Sequence, residues 1–204
     1  MAIEDTYQTI AAPSKGIYKE KGSKFIALAF PVKSEEEIKE HLNELRKEYH
    51  DARHHCYAYS IGYDRSVYRF NDDGEPSGTA GRPIYGQIIS HGLTRILVVV
   101  IRYFGGIKLG VPGLINAYRQ ATKDALDHAQ IITRTVTEGY RIHFDYSMMN
   151  SVMKVLKEEN AAITNQGFDN EYIIQFTIRK SSGNKLMDRL KKISNVSVDF
   201  LGEF

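Results

Sequence analysis

The chain contains a single cysteine, Cys56, in 204 residues. An internal disulfide is therefore impossible, and this usage fits a reducing compartment. Long hydrophobic runs are missing too: a stretch such as Ile96–Ile101 is far too short to span a bilayer. The opening MAIEDTYQTI has no basic region followed by an apolar one, so it is not expected to act as a signal peptide. A cytoplasmic protein without a membrane partner is the expectation. Strong bulk charge is also lacking. The formal net charge is +2, so the total does not announce a nucleic-acid binder. One absence is local. From Pro76 to Lys123 there is no Asp or Glu, whereas Arg82, Arg95, Arg102, Lys108, Arg119 and Lys123 all fall there. Buried strand accounts for part of this stretch, and its polar remainder points to a basic face.

What is present reads as alternating strands and helices. GIYKEKGSKFIALAFPV predicts two strands about a Lys21-Gly22-Ser23 turn. Ser34, with Glu37 three residues on, predicts a capped helix whose apolar face is Ile38, Leu42, Leu45 and Tyr49. ARHHCYAYSIG alternates as a strand, with SVYRF as its hairpin partner. A helix is expected from about Pro83 to His91. The β-branched run Ile96–Ile101 predicts a strand covered on both faces. After the loop RYFGGIKLGVPG, a helix aligns Leu114, Tyr118, Ala121 and Ala125. Thr133–Gly139 reads as a polar join. Beyond it the order strand, helix, strand, strand, helix, strand is the split β-α-β arrangement of ferredoxin-like domains. In the first helix of that half, begun by Ser147, the expected face is Met149, Val152, Met153 and Leu156. The predicted class is α+β, with one domain over residues 1–132 and a second over 138–204, joined near residues 130–138.

Two segments carry candidate chemistry. In NDDGEPSGTAGRP, Asp72, Asp73 and Glu75 crowd a turn, with Gly78 and Thr79 following. These are read as loop-organising residues. Ser77 or Thr79 is expected to cap the next helix, and Gly78 and Gly81 to allow close backbone approach. In FGGIKLGVPG, a buried strand delivers Gly105 and Gly106, Lys108 and Gly110 follow, and Pro112 opens a helix. Backbone N–H groups at a helix start favour an anion. The loop is not a Walker A motif, because Val111 and Pro112 stand where Lys and Ser or Thr belong. Arg53 and His54, beside Tyr57 and Tyr59, interleave bases and rings as a nucleic-acid surface does. With Arg82 and Arg102 these make the expected anion- or nucleic-acid-binding set, Arg82 and Lys108 sharing one concave surface. The three carboxylates could otherwise hold Mg²⁺, and His50 with His54 lacks a third zinc ligand. Cys56 and His55 are strand neighbours pointing to opposite faces, so they are not a catalytic pair. No catalytic residue, cofactor or metal is assigned. Lys185, Arg189, Lys191 and Lys192 form a further basic cluster, readable equally as a solvated face.

At DDGEPSGTAGRPI and VVVIRYFGGIKLGVPGLINAYRQAT the sequence resembles the YigZ/IMPACT family, and the resemblance extends along the whole chain in the two-domain bacterial layout. It implies an N-terminal domain like the second domain of ribosomal protein S5, also seen in the fourth domain of elongation factor G. It implies a C-terminal ferredoxin-like domain similar to the fifth domain of that factor. Eukaryotic members regulate translation by competing for the activator of a starvation-responsive initiation-factor kinase, and carry an additional N-terminal interaction domain. The expected function is a non-enzymatic, RNA- or ribosome-associated modulator of translation. A regulator docking a protein partner through its glycine-rich loops is the alternative, and a small-molecule or nucleotide-binding enzyme a second one.

Overall fold

The computed structural model describes residues 5–204. These divide into two compact units, Tyr7–Arg134 and Thr135–Phe204, the latter including Asp5 and Thr6. The α+β class holds.

In chain order the larger unit contains β1 (Thr6–Ile10), β2 (Ser14–Glu20), β3 (Ser23–Pro31), α1 (Glu35–Glu48), β4 (His54–Ser60), β5 (Tyr68–Asn71), α2 (Gly81–Ser90), β6 (Ile96–Tyr103), α3 (Gly110–Asp127) and β7 (Ile131–Thr135). Five strands form one antiparallel sheet in the order β2-β3-β6-β4-β5. Its two faces bury two different cores. One face sets Phe25, Ala27, Cys56, Ala58, Val98 and Val100 against α2 and α3. The other sets Ile26, Tyr57, Tyr59, Leu97, Val99 and Ile101 against α1. The central strand β6 is therefore apolar at every position from Ile96 to Ile101, because neither of its faces meets water. Helix α1 starts as expected: Ser34 Oγ accepts from the Glu37 N–H, and the Glu37 carboxylate accepts from the Lys33 N–H. On α3, Leu114, Tyr118, Ala121 and Ala125 are all buried.

The smaller unit contains β8 (Thr137–Phe144), α4 (Met149–Glu158), β9 (Ala162–Asp169), β10 (Glu171–Arg179), α5 (Lys180–Leu190) and β11 (Val196–Glu203). Its antiparallel sheet has the order β11-β8-β10-β9, the ferredoxin-like arrangement. Tyr140, Ile142, Phe144, Ile174 and Phe176 pack on Val152, Leu156, Leu186 and Leu190. Arg179 forks onto Asp5 through Nε–Oδ2 at 2.6 Å and Nη2–Oδ1 at 2.9 Å, which holds the Asp5 carboxyl far below the usual range.

Three local expectations change. Thr133–Gly139 is strand on both sides of Val136, because β7 pairs with β1, more than a hundred residues away in sequence. Ser147 lies in a 3-10 turn, Tyr146–Met148, and does not cap α4, whose buried face is Val152, Val155 and Leu156 with Met153 exposed. Two of the four C-terminal cations are ion-paired: Lys185 meets Glu159, and Arg189 meets both Glu158 and Glu159. No helix among the described residues is long and apolar enough to cross a membrane.

Candidate anion-binding cleft

A cleft of about 710 Å³ opens on the larger unit where β6 ends and α3 begins. Three stretches reach it. The approach to β4 supplies Asp51, Arg53 and His54; the acidic loop supplies Glu75 and Pro76; the end of β6 and the following loop supply Arg102, Phe104, Lys108, Gly110 and Val111.

The acidic loop is held by its own polar groups. The Asp72 carboxylate accepts from the backbone N–H of Gly78 (2.8 Å), Ala80 (3.0 Å) and Gly81 (2.8 Å). This replaces the expected Ser77 or Thr79 cap. Ala80 occupies the cap position of α2, where its methyl group cannot accept a hydrogen bond, while Thr79 Oγ1 donates to the Pro76 carbonyl instead. Asp73 Oδ2 accepts from the His55 N–H at 2.7 Å, and the Asp73 carbonyl lies 2.8 Å from His54 Nδ1, which fixes the His54 ring. A Cβ on Gly81 would lie 2.7 Å from the Asn71 nitrogen, so the close approach expected there is backbone on backbone. Gly78 has φ +76° and open space around it.

Glu75 turns inward. Its Oε1 accepts from Arg102 Nη1 at 2.6 Å and from the Tyr118 hydroxyl at 2.8 Å. Both side chains of the ion pair are more than nine-tenths buried. The Arg102 guanidinium lies 5.4 Å from the Phe25 ring centroid and 5.6 Å from that of Phe104. Its Nε is buried without a hydrogen-bond partner among the described residues. Cys56 Sγ sits 3.0 Å from the Asp72 carbonyl and 3.2 Å from the Tyr118 hydroxyl. Burial pushes both the Cys56 thiol and the Tyr118 hydroxyl up, so both stay protonated at neutral pH. A protonated, buried Cys56 is no nucleophile. The three carboxylates face separate partners and do not converge as Mg²⁺ ligands. His50 and His54 join no metal-holding group among the described residues.

The glycine loop is the opposite case. The Gly105 N–H donates to Ser23 Oγ, and a Cβ there would lie 1.9 Å from the Gly22 carbonyl carbon, so only glycine fits beneath the β2–β3 turn. Gly106 and Gly110 have φ of +88° and +70°. Beyond Gly105 the loop leaves Ile107 and Val111 more than half exposed, and Phe104 just before it is equally open. Lys108 is exposed and lines the cleft. Tyr103 donates to the Asp51 carboxylate at 2.8 Å, which pushes its hydroxyl up to about 12 and occupies that acid.

Arg53, His54, Arg102, Lys108 and Gly110 are therefore gathered at one cleft, whereas Gly105 and Gly106 shape the loop without lining it. Arg82 is exposed on α2 and does not line the cleft, so no shared wall with Lys108 forms. The acid-free stretch is not one basic face: Arg95 stacks over Tyr7 and Arg102 is buried on Glu75. Tyr57 and Tyr59 are core residues under α1 and are unavailable to bases. Sequence reasoning missed Phe104, whose signal was an aromatic between a buried strand and two glycines. It also missed the Glu75–Arg102–Tyr118 network, which no local pattern reveals.

The residues that build this cleft lie within a match to the Impact N-terminal domain, which covers residues 21–126. The chain belongs to the IMPACT family. It is 31% identical to IMPACT family member YigZ of Escherichia coli, over 94% of this chain and 95% of that protein. It is 30% identical to family member YvyE of Bacillus subtilis, over 87% of this chain and 82% of that one. With the Dictyostelium discoideum protein named as an IMPACT homolog, the match is 36% over 53% of this chain and 32% of the longer relative. A crystal structure described only as a hypothetical protein superposes with a TM-score of 0.74 at 28% identity, covering 96% of this chain and 97% of its own.

Proposed function

We propose that this IMPACT family member is a non-enzymatic RNA-binding module that acts on translation and takes single-stranded RNA at the cleft of its larger unit. One observation carries the reading: Arg53, Lys108 and the exposed ring of Phe104 border the same cleft, with the buried Arg102 in its wall. Cations that follow phosphates beside a ring that stacks on a base are the two components of sequence-tolerant single-strand binding. Membership of a family implied to act on translation supports the same direction. The carboxylates at the cleft are engaged by their own partners and the nearby thiol stays protonated, which weighs against an enzymatic alternative.

Ultraviolet cross-linking of the chain to RNA in cells, followed by mapping of cross-linked peptides, tests this. The expected adducts fall on residues 51–54 and 102–111. Adducts confined to the smaller unit, or none, would refute the proposal. A second reading rests on Phe104, Ile107 and Val111, which form an exposed apolar group on one loop suited to a protein partner. Protein rather than RNA adducts on residues 104–111 would favour it.

A further inference from the structure

We infer that the exposed face of α2, with the edge strand β5 beside it, docks an acidic segment of a protein partner. This face is separate from the cleft, since none of Val67, Tyr68, Arg82, Gly86 and Ile89 lines it. Its centre is Gly86. That residue lies in the interior of α2 and is exposed. A Cβ there would meet no atom within 4 Å beyond its own stretch of helix backbone. Its φ lies outside the left-handed region as well. A side chain would therefore fit without strain, and glycine in a helix interior is destabilising relative to any residue but proline. Among the described residues nothing packs against Gly86 to offset that loss. A bare backbone at an exposed helix centre does allow close approach from outside.

The side chains around Gly86 define what approaches. Tyr68 stacks on Tyr85 with ring centroids 4.7 Å apart and is still 52% exposed. Val67 and Ile89 are open too. Strand β5 ends its sheet, so no further strand covers this side. A base could stack on Tyr68 but would gain little from Val67 and Ile89, whereas apolar side chains of a protein segment would pack on all three. Charge then sets the sign of that segment. Arg82 stands in the first turn of α2, exposed, its side chain without an ion pair or hydrogen bond among the described residues. At the other end of the helix the exposed Arg65 donates through Nη2 to the Gly92 carbonyl. Helix α2 contains no acid. Asp64, next to Arg65 in sequence, accepts from the Ser66 N–H. A segment with an apolar centre over Tyr68, Gly86 and Ile89, and carboxylates reaching Arg82 and Arg65, complements this face in both respects. From Arg82 to Gly92 the helix covers about 15 Å, the reach of two to three turns of a partner helix.

The test selects phage-displayed random peptides of about sixteen residues on the immobilised full chain. The recovered sequences should be rich in Asp and Glu interspersed with Leu, Ile and Phe. A synthetic copy of the most enriched peptide is then read by fluorescence anisotropy against wild type, Gly86→Gln and Arg82→Glu. Both substituted positions are exposed. Each variant should bind it at least about ten-fold more weakly than wild type. Gly86→Gln should at the same time melt about 2 °C higher, because glutamine is the better helix former. Loss of binding together with a gain in stability is the pattern that a glycine kept for a partner produces. Basic peptides, no enrichment, or binding that survives in both variants would overturn the inference. So would a lower melting temperature for Gly86→Gln, which would make the glycine a requirement of the fold. An oligouridylate is measured alongside. If it binds wild type and both variants lose it, this face takes RNA and the protein inference falls. None of these outcomes bears on the cleft, whose RNA-binding reading stands or falls by its own cross-links.

Discussion

Asn71–Pro83 and Phe104–Pro112 are both rich in glycine, both lead into a helix, and both reach the same cleft, yet they treat their polar groups in opposite ways. In the first, each carboxylate is engaged: Asp72 with three N–H groups, Asp73 with the His55 N–H, Glu75 with Arg102 and Tyr118. In the second, the helix start has no side-chain cap, Lys108 is exposed, and large apolar side chains face solvent. The first loop is scaffold despite its three acids, and the second carries the proposed site. What separates the two is whether a group already has its partner.

Substitutions should break this contrast unequally, beginning with the largest loss. Glu75→Ala strands a buried guanidinium and should cost about 3–5 kcal/mol of stability in urea denaturation; a loss under about 1 kcal/mol would mean that Glu75 does not organise the core beneath the cleft. Asp72→Ala removes the acceptor for three backbone N–H groups and should cost about 1–3 kcal/mol. Its effect should exceed that of Thr79→Ala, which removes one hydroxyl bond within a turn and should cost about 1 kcal/mol. The reverse order would restore Thr79 as the cap of α2. In the second loop, Lys108→Ala should stay within about 0.5 kcal/mol of wild type, its effect being confined to binding. A large loss there would make that loop scaffold as well.

Much of the fold was legible because its signals are local. The unbroken β-branched run of β6 announced burial on both faces, the Ser34–Glu37 spacing announced the start of α1, and the four-residue steps from Leu114 announced the face of α3. The misses at β7, at the start of α2 and at Arg102 depend on distance in sequence. The strand β7 is short, polar and mostly exposed, and exists because β1 pairs with it. The cap of α2 comes from Asp72, eight residues before the Ala80 N–H that it accepts from. The Glu75–Arg102 pair spans 27 residues and moves one expected cation from the surface to the interior. For the candidate site, cations could be named but their directions could not: Arg53, Arg102 and Lys108 converge while Arg82 does not.

On the proposed function, the glycine loop and its neighbours meet a polyanion. The salt dependence of single-stranded RNA binding, measured for wild type and for Arg53→Ala/Lys108→Ala, tests it most directly. Removing one cation that neutralises a phosphate should flatten the slope of log K against log salt by about 0.7, so the double variant should bind more weakly with a slope shallower by about 1.4. A folded double variant with unchanged affinity and unchanged slope would contradict the account.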